Sequence, residues 1–238
     1  MSTGIVSAHV SGQGFVIGAD GLRQDARGAV ISLSARKIFA IEGRELLLAY
    51  AWAGHTNLLD SKNNTIFNFV EESAKIGEIV EAQCTDRFSV FVSKFADLLY
   101  HALYIANKGD KVPDRFPAQN AQVARALLVG YFRGSPCRAQ VEFRCRDHVL
   151  TKPHLMELHE NNVPVDFNIF SGSAKSFDDY RSKIVEPLSL RAAADLVCWY
   201  LELCIANQRQ FDDCKNIGGH IHIATMTPNN FEWTVAPI

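Results

Sequence analysis

Two hydroxyl side chains, Ser2 and Thr3, lie at the very start of the chain, where a hydroxyl can serve as a nucleophile. Residues 1–20 alternate small, apolar and polar side chains around Gly12 and Gly14, which predicts two strands joined by a tight turn. A signal peptide would begin with basic residues and an unbroken apolar run, so we expect no removed leader. The pattern leaves open whether one hydroxyl is a nucleophile or only the first residue of an edge strand.

A histidine pair near the other end of the chain is the second candidate for chemistry. His220 and His222 stand two residues apart in "GGHIHIAT", a spacing that places both on one face of a strand, where they could bind a metal ion. The sequence offers no third ligand close by. We therefore favour a partly buried polar face over a metal site, and we expect no cofactor.

Composition limits the class of protein. With 238 residues, 47% of them hydrophobic and 21% charged, the chain can bury a large core, and we expect one domain over residues 1–238. A formal charge of −2 with scattered basic residues argues against a nucleic-acid partner. Apolar stretches such as residues 46–54 fall short of the ~20 residues that a membrane span needs. Six cysteines without Cys-x-x-Cys spacing predict free thiols, and so a soluble, cytoplasmic protein.

Hydrophobic periodicity predicts strands, two helices, further strands, two more helices and final strands. The four helices are expected at residues 67–77, 85–107, 173–182 and 190–208. Thr85 or Asp86 is the expected cap of the second helix. This order suits two stacked sheets with a pair of helices on each outer face, which is an α+β fold with four layers, αββα.

Six motifs occur in an order that resembles the proteasome β subunits and their bacterial proteasome-like relatives: "FVIGAD", "KIFAI", "AWAG", "LLVGYFRGSP", "FSGSA" and "IGGHIHIATMTP". The resemblance covers the whole chain. Members of that family are N-terminal nucleophile hydrolases with an αββα sandwich, and they form closed rings around their peptidase sites. The resemblance therefore implies copies of the chain in a ring-like oligomer, a polypeptide substrate and, as a further partner, an ATPase unfoldase.

The family's nucleophile is a threonine whose own free amine acts as the general base for its hydroxyl. The bacterial relatives begin with Thr-Thr-Ile-Val-Ser, and "STGIVS" matches that pattern in two ways. If Ile5-Val6-Ser7 aligns directly, Thr3 takes the position of the nucleophile. If Gly4 is an insertion, Ser2 takes it, and removal of Met1 alone would then free the required amine.

The resemblance implies roles for four more residues. Asp20 matches a buried aspartate, and Lys37 matches the lysine whose ammonium stabilises negative charge beside the nucleophile. Gly54 matches the glycine whose backbone N–H contributes to the oxyanion hole. Ser173 matches a supporting serine, with Ser171 close enough to be the alternative.

The sequence departs from the family before its Gly-Gly pair. Peptidase subunits usually carry an aspartate four residues and a serine one residue before Gly218, where this chain has Cys214 and Ile217. The nearest aspartate, Asp213, is one place early. Trp52, two residues before the oxyanion glycine, is either a large residue at the base of the substrate pocket or a core aromatic.

Three functions are compatible with these sequence features. The first is a self-compartmentalising peptidase in which Thr3 or Ser2 attacks a peptide carbonyl. The second is a catalytically inactive, structural subunit of the same fold, since a fold does not guarantee its chemistry. The third is an amidase of the same nucleophile class that acts on a non-peptide amide. In each case the exposed strand edges and apolar faces expected of this fold predict self-association.

Overall fold

The computed structural model describes residues 3–24, 28–54, 56–59, 64–83, 86–109, 121–147, 149–172, 187 and 189–238. The chain divides into two units. The first combines Met1–Ala40 with Asn162–Ile238, and the second is the continuous segment Ile41–Asn161.

The described residues form strands and three α-helices. In chain order these are β1 (Ile5–Val10), β2 (Gly14–Asp20), β3 (Arg23–Gln24), β4 (Val30–Ser32), β5 (Ile38–Glu42), β6 (Leu46–Gly54), β7 (Asn57–Leu59), β8 (Thr65–Asn68), α1 (Phe69–Ala82), α2 (Phe88–Ala106), β9 (Ala121–Phe132), β10 (Ser135–Arg146), β11 (Val149–Leu150), β12 (His154–Glu160), β13 (Phe167–Ser171), α3 (Leu190–Ala206), β14 (Ile221–Thr227) and β15 (Asn230–Val235).

The first unit is built on a five-stranded antiparallel sheet with the order β13-β1-β2-β14-β15. The predicted opening hairpin is confirmed, because β1 pairs with β2 from Ile5 opposite Ala19 to Val10 opposite Gly14. β3 and β4 form a separate two-stranded sheet. Since the strands of the main sheet come from both ends of the chain, residues distant in sequence meet at its centre.

Helix α3 covers one face of this sheet. Val197 and Leu201 of the helix pack with Val6 and Val16 of the sheet in one buried apolar cluster. The helix begins where the sequence predicts, because the side chain of Ser189 accepts a hydrogen bond from the backbone N–H of Ala192 at 3.2 Å. The helix predicted at residues 173–182 lies outside the described residues.

The second unit is built on a six-stranded sheet with the order β11-β10-β9-β6-β5, and β12 also pairs with β10. Helix α1 begins at Phe69 because the side chain of Asn68 accepts the N–H groups of Val70 and Glu71. The predicted end at Gly77 is wrong: this glycine lies inside the helix, where its missing side chain makes room for Ile41.

Helix α2 begins at Phe88, three residues after the predicted start. Its first N–H donates to a carboxylate oxygen of Glu160 at 2.9 Å. The cap therefore comes from the end of β12 and not from Asp86, whose side chain caps nothing in α2; Thr85 lies outside the described residues. A carboxylate at this end also interacts favourably with the helix dipole.

The observed architecture is thus a mixed α and β fold with several antiparallel sheets, which confirms the predicted class at this level. Within the described ranges, no helix combines the length and the apolar character needed to cross a membrane.

Trp52 belongs to the core of the second unit. Its side chain is 2% exposed, and its ring lies 4.7 Å from that of Phe69 and 5.8 Å from that of Phe143. The indole N–H donates to the Ser73 hydroxyl at 3.0 Å, and that hydroxyl donates to the backbone carbonyl of Phe69 at 2.5 Å. Of the two roles left open by the sequence, these contacts give Trp52 that of a core aromatic.

We expect Ser73→Ala to lower the free energy of unfolding by about 1–3 kcal/mol, because it leaves the buried indole N–H of Trp52 without an acceptor. Urea denaturation of the full chain measures the change. Ser93→Ala is the matched control, since Ser93 is exposed on α2, and it should stay within about 0.5 kcal/mol of the unmodified protein. Equal effects of the two substitutions would contradict the structural role of this hydrogen bond.

Candidate functional site

The carboxylate of Asp20 is fully buried at the end of β2 and accepts four hydrogen bonds. Oδ1 accepts the backbone N–H of Gly4 at 2.8 Å and the ammonium of Lys37 at 2.8 Å. Oδ2 accepts the backbone N–H groups of Gly218 at 3.0 Å and Leu22 at 3.2 Å. Both oxygens are thus satisfied, which compensates for removing the charge from water.

The loop before β14 reaches Asp20 because of its glycine pair. Gly219 has a φ of +74°, and a side chain there would place a Cβ 2.2 Å from the carbonyl oxygen of Leu33. Only glycine fits this conformation and this close approach. The turn brings the N–H of Gly218 to the carboxylate, a contact that side-chain patterns in the sequence do not indicate.

Lys37 precedes β5, and its side chain is 13% exposed. Burial lowers the pKa of Lys37, while the negative charge of Asp20 and the hydrogen bond to it act in the opposite direction. The ammonium therefore lies in a poorly solvated position and is held by a single carboxylate oxygen. A cation held in this way can stabilise a negative charge that develops beside it.

Thr3 is buried and directly precedes Gly4. The backbone of Gly4 is tied to Asp20 twice, because its N–H donates to the carboxylate and its carbonyl accepts the N–H of Asp20 at 3.0 Å. The structure thus brings Asp20 and Lys37 together and anchors the residue next to Thr3 on them. Ser2 lies outside the described residues.

Gly54 ends β6 in the second unit, opposite Ala124. It has a φ of +96°, and a Cβ would lie 2.8 Å from the carbonyl oxygen of Val123, so the local backbone itself requires glycine. Ser173 lies outside the described residues. Its alternative, Ser171, ends β13 and pairs with Ile5, two residues after Thr3.

The two departures before the glycine pair are packing residues. Cys214 and Ile217 are both fully buried in the cluster that α3 forms with the sheet. A Cβ added to Gly4 would lie 2.9 Å from a methyl group of Ile217, so this isoleucine fills the space behind the Gly4 backbone. It supplies apolar contact where the family pattern has a hydroxyl.

The two histidines differ from the expected shared polar face. His220 is half-buried, directly precedes β14, and donates from Nε2 to the carbonyl oxygen of Ala236 at 2.8 Å. His222 is fully buried, and neither of its ring nitrogens has a hydrogen-bond partner among the described residues. Burial is the main cause that lowers the pKa of His222 to about 4, and the charge of Lys37 contributes next. No group of three metal-ligating side chains occurs in the described part of the chain.

We expect the protein to lose stability as the pH falls from about 6.5, the ordinary pKa of histidine, to about 4, the pKa of His222 in the fold. In this range the unfolded chain binds a proton at His222 that the folded chain excludes, so acid favours unfolding. The full loss in the free energy of unfolding is about 3 kcal/mol. Above pH 6.5 His222 is unprotonated in both the folded and the unfolded chain. Its contribution to stability therefore does not change with pH in that range.

Urea denaturation between pH 7 and pH 4 measures this loss. His222→Leu should reduce the acid-dependent loss, whereas His220→Gln, at the half-buried histidine nearby, should leave it unchanged. If His222→Leu shows the same pH dependence as the unmodified protein, the buried neutral imidazole is not its source.

No protein-family model matches the sequence, and no curated protein matches it either. Solved structures do. A (Gly-1) mutant of Anbu from Hyphomicrobium sp. strain MC1 matches with a TM-score of 0.58 and 11% identity, over 98% of this chain and 87% of that one. Anbu (ancestral beta-subunit) from Yersinia bercovieri matches with a TM-score of 0.50 and 12% identity, over 98% and 88% of the two chains.

These neighbours correct the family predicted from sequence. The assignment to the proteasome β subunits and their bacterial proteasome-like relatives is wrong, because the structures that this chain resembles are Anbu proteins, a proteasome-like but distinct family. At such low identity the likeness concerns the fold alone. The chain therefore has a proteasome-like fold related to that of beta subunits.

Proposed function

We propose that this chain is a subunit of a self-compartmentalising peptidase with an N-terminal nucleophile. One observation carries the proposal: the buried Asp20 carboxylate joins the Lys37 ammonium to the backbone of Gly4, the residue that follows Thr3. In this proposal the free amine of the nucleophile activates its hydroxyl, and a cation held close to the start of β1 stabilises the negative charge that develops there.

The chemistry begins with removal of the residues before the nucleophile. Loss of Met1 and Ser2 frees the amine of Thr3, and loss of Met1 alone frees that of Ser2. The amine accepts the hydroxyl proton while the oxygen attacks the substrate carbonyl carbon. Lys37 stabilises the negative oxygen that forms. The C–N bond then breaks, the leaving amine takes the proton, and water hydrolyses the acyl-enzyme.

The remaining features of the proposal concern assembly. We propose a single domain with four layers, αββα, in which Ser173 supports the nucleophile, and copies of the chain that form a ring and enclose a polypeptide substrate. An ATPase unfoldase is the proposed partner that delivers it. Cys137 and Cys198 are free thiols, which supports a reducing compartment such as the cytoplasm.

A catalytically inactive structural subunit is the second candidate, and two observations favour it. Ile217 offers no hydroxyl at the position where the peptidase pattern has a serine, and Thr3, which follows Met1 and Ser2 in the sequence, is buried. If these two residues remain attached, Thr3 has no free amine. An amidase that acts on a non-peptide amide would share the mechanism of the first candidate and differ only in substrate.

The nucleophile is identified by the intact mass and N-terminal sequence of the untagged protein, followed by peptide turnover. If Thr3 is the nucleophile, the chain should begin at Thr3 and Thr3→Ala should abolish turnover, because no hydroxyl remains beside the amine. Ser2→Ala should leave turnover intact once the N-terminus is processed. The reverse pattern would assign the role to Ser2. A chain that still begins at Met1 and is inactive would favour the structural subunit.

We expect Lys37→Ala to lower peptide turnover about 100-fold or more, since it removes the cation that stabilises the negative oxygen. The oligomer should persist, as measured by sedimentation velocity at micromolar concentration. Lys215→Ala is the matched control, because Lys215 is an exposed lysine of the same unit, and it should change neither property. Dispersal of the oligomer by Lys37→Ala would make Lys37 a structural residue.

A further inference from the structure

Arg36, the residue before Lys37, has an exposed guanidinium that is nevertheless fixed in place. Its central carbon lies 5.1 Å from the ring centre of Phe39 and 5.4 Å from that of Trp233, so two aromatic rings hold it by cation–π contact. Its Nε donates to the backbone carbonyl of Ile38 at 2.9 Å. An exposed arginine without such contacts would sample many rotamers, and this one has already given up much of that freedom.

The guanidinium forms no ion pair with an acidic side chain among the described residues. The buried carboxylate of Asp20, on the same unit, is already satisfied by Lys37 and three backbone N–H groups. Within the described ranges, no acidic side chain therefore competes for the terminal nitrogens of Arg36. Their planar fork matches the two oxygens of a carboxylate, which a lysine ammonium does not.

The surroundings of Arg36 favour an anion. Trp233, which contacts Arg36, also meets the ring of His222 edge to face, with 6.3 Å between ring centres. His222 is neutral at physiological pH because burial and the positive charges of Lys37 and Arg36 lower its pKa to about 4.

We propose that Arg36, clamped between Phe39 and Trp233, is a carboxylate-binding site that selects acidic peptides as the substrates of this protein. The identity of the ligand as a peptide rests on the proposed peptidase function. The site itself rests on the contacts of Arg36 with Phe39 and Trp233. A carboxylate reaches the site either as the free C-terminus of a peptide or as an aspartate or glutamate side chain. Both would form two parallel charge-assisted hydrogen bonds with the guanidinium.

Binding, measured without turnover, tests the site. The full-length double variant Ser2→Ala and Thr3→Ala has no N-terminal hydroxyl and is titrated calorimetrically with blocked alanine hexapeptides. One peptide ends in a free carboxylate, a second is its amide, and a third series of amides carries one aspartate at each position in turn. We expect the best carboxylate peptide to bind about 10- to 100-fold more tightly than the uncharged amide. Which peptide binds best distinguishes a C-terminus from a side chain.

Substitutions in the same background assign the preference to a residue. Arg36→Gln should remove the difference between carboxylate and amide peptides, and Arg36→Lys should restore only part of it, because a lysine keeps the charge but loses the fork. Arg191→Gln is the control, since Arg191 is exposed on α3, and it should leave the preference intact. A preference that survives Arg36→Gln would overturn the proposal.

The failure of this proposal is distinguishable from that of the peptidase function. If the unmodified protein cleaves peptides and neither cleavage nor binding depends on a carboxylate, the peptidase function stands and the Arg36 site is wrong. If carboxylate peptides bind through Arg36 but nothing is cleaved, the site stands and the peptidase function fails. If Arg36→Gln lowers only the melting temperature, the aromatic clamp is structural and the proposal is overturned.

Discussion

The buried charge of Asp20 is the constraint on which the first unit depends. A carboxylate without water needs donors on both oxygens, and here they come from four separate stretches of chain: the start of β1, the turn after β2, the approach to β5 and the loop before β14. Loss of any one of them would leave part of the charge uncompensated, which costs far more than an exposed contact of the same kind. Asp20 therefore fixes the relative positions of these four segments, and with them the backbone beside Thr3.

Local sequence patterns predict the elements that depend on local interactions. The β1–β2 hairpin follows from alternation around a short glycine turn, and the start of α3 follows from the Ser189 cap. Interactions between residues far apart in the chain could not be predicted from these local patterns. The carboxylate that caps α2 lies 72 residues further along the chain, at Glu160. The Gly218 donor to Asp20 is a backbone N–H, and backbone groups leave no trace in side-chain patterns.

The same reasoning explains why the family was misassigned although the mixed α and β character of the fold was predicted correctly. The motifs that carried the resemblance are small residues at sheet ends and turns, such as the Gly218–Gly219 pair, whose positions follow from close backbone approach. Any chain with this arrangement of strands needs small residues at these points of close backbone approach. The residues that would separate one family from another lie where this chain differs, as at Ile217, which packs against Gly4 where the peptidase pattern has a serine. Among the predicted site residues, Asp20 and Lys37 were singled out only by the resemblance, and their contact with each other is a result of the fold.

The discontinuity of the first unit has a consequence for biosynthesis. Ribosomes deliver the chain from its N-terminus, so the continuous segment Ile41–Asn161 is available to fold while β14 is still unmade. Until residue 218 has emerged from the exit tunnel, the Asp20 carboxylate lacks one of its four donors, and β2 lacks its neighbour on one side. Pairing between strands so far apart in sequence is also slow. The surroundings of Thr3 are therefore completed late in translation, after nearly all of these residues have been synthesised.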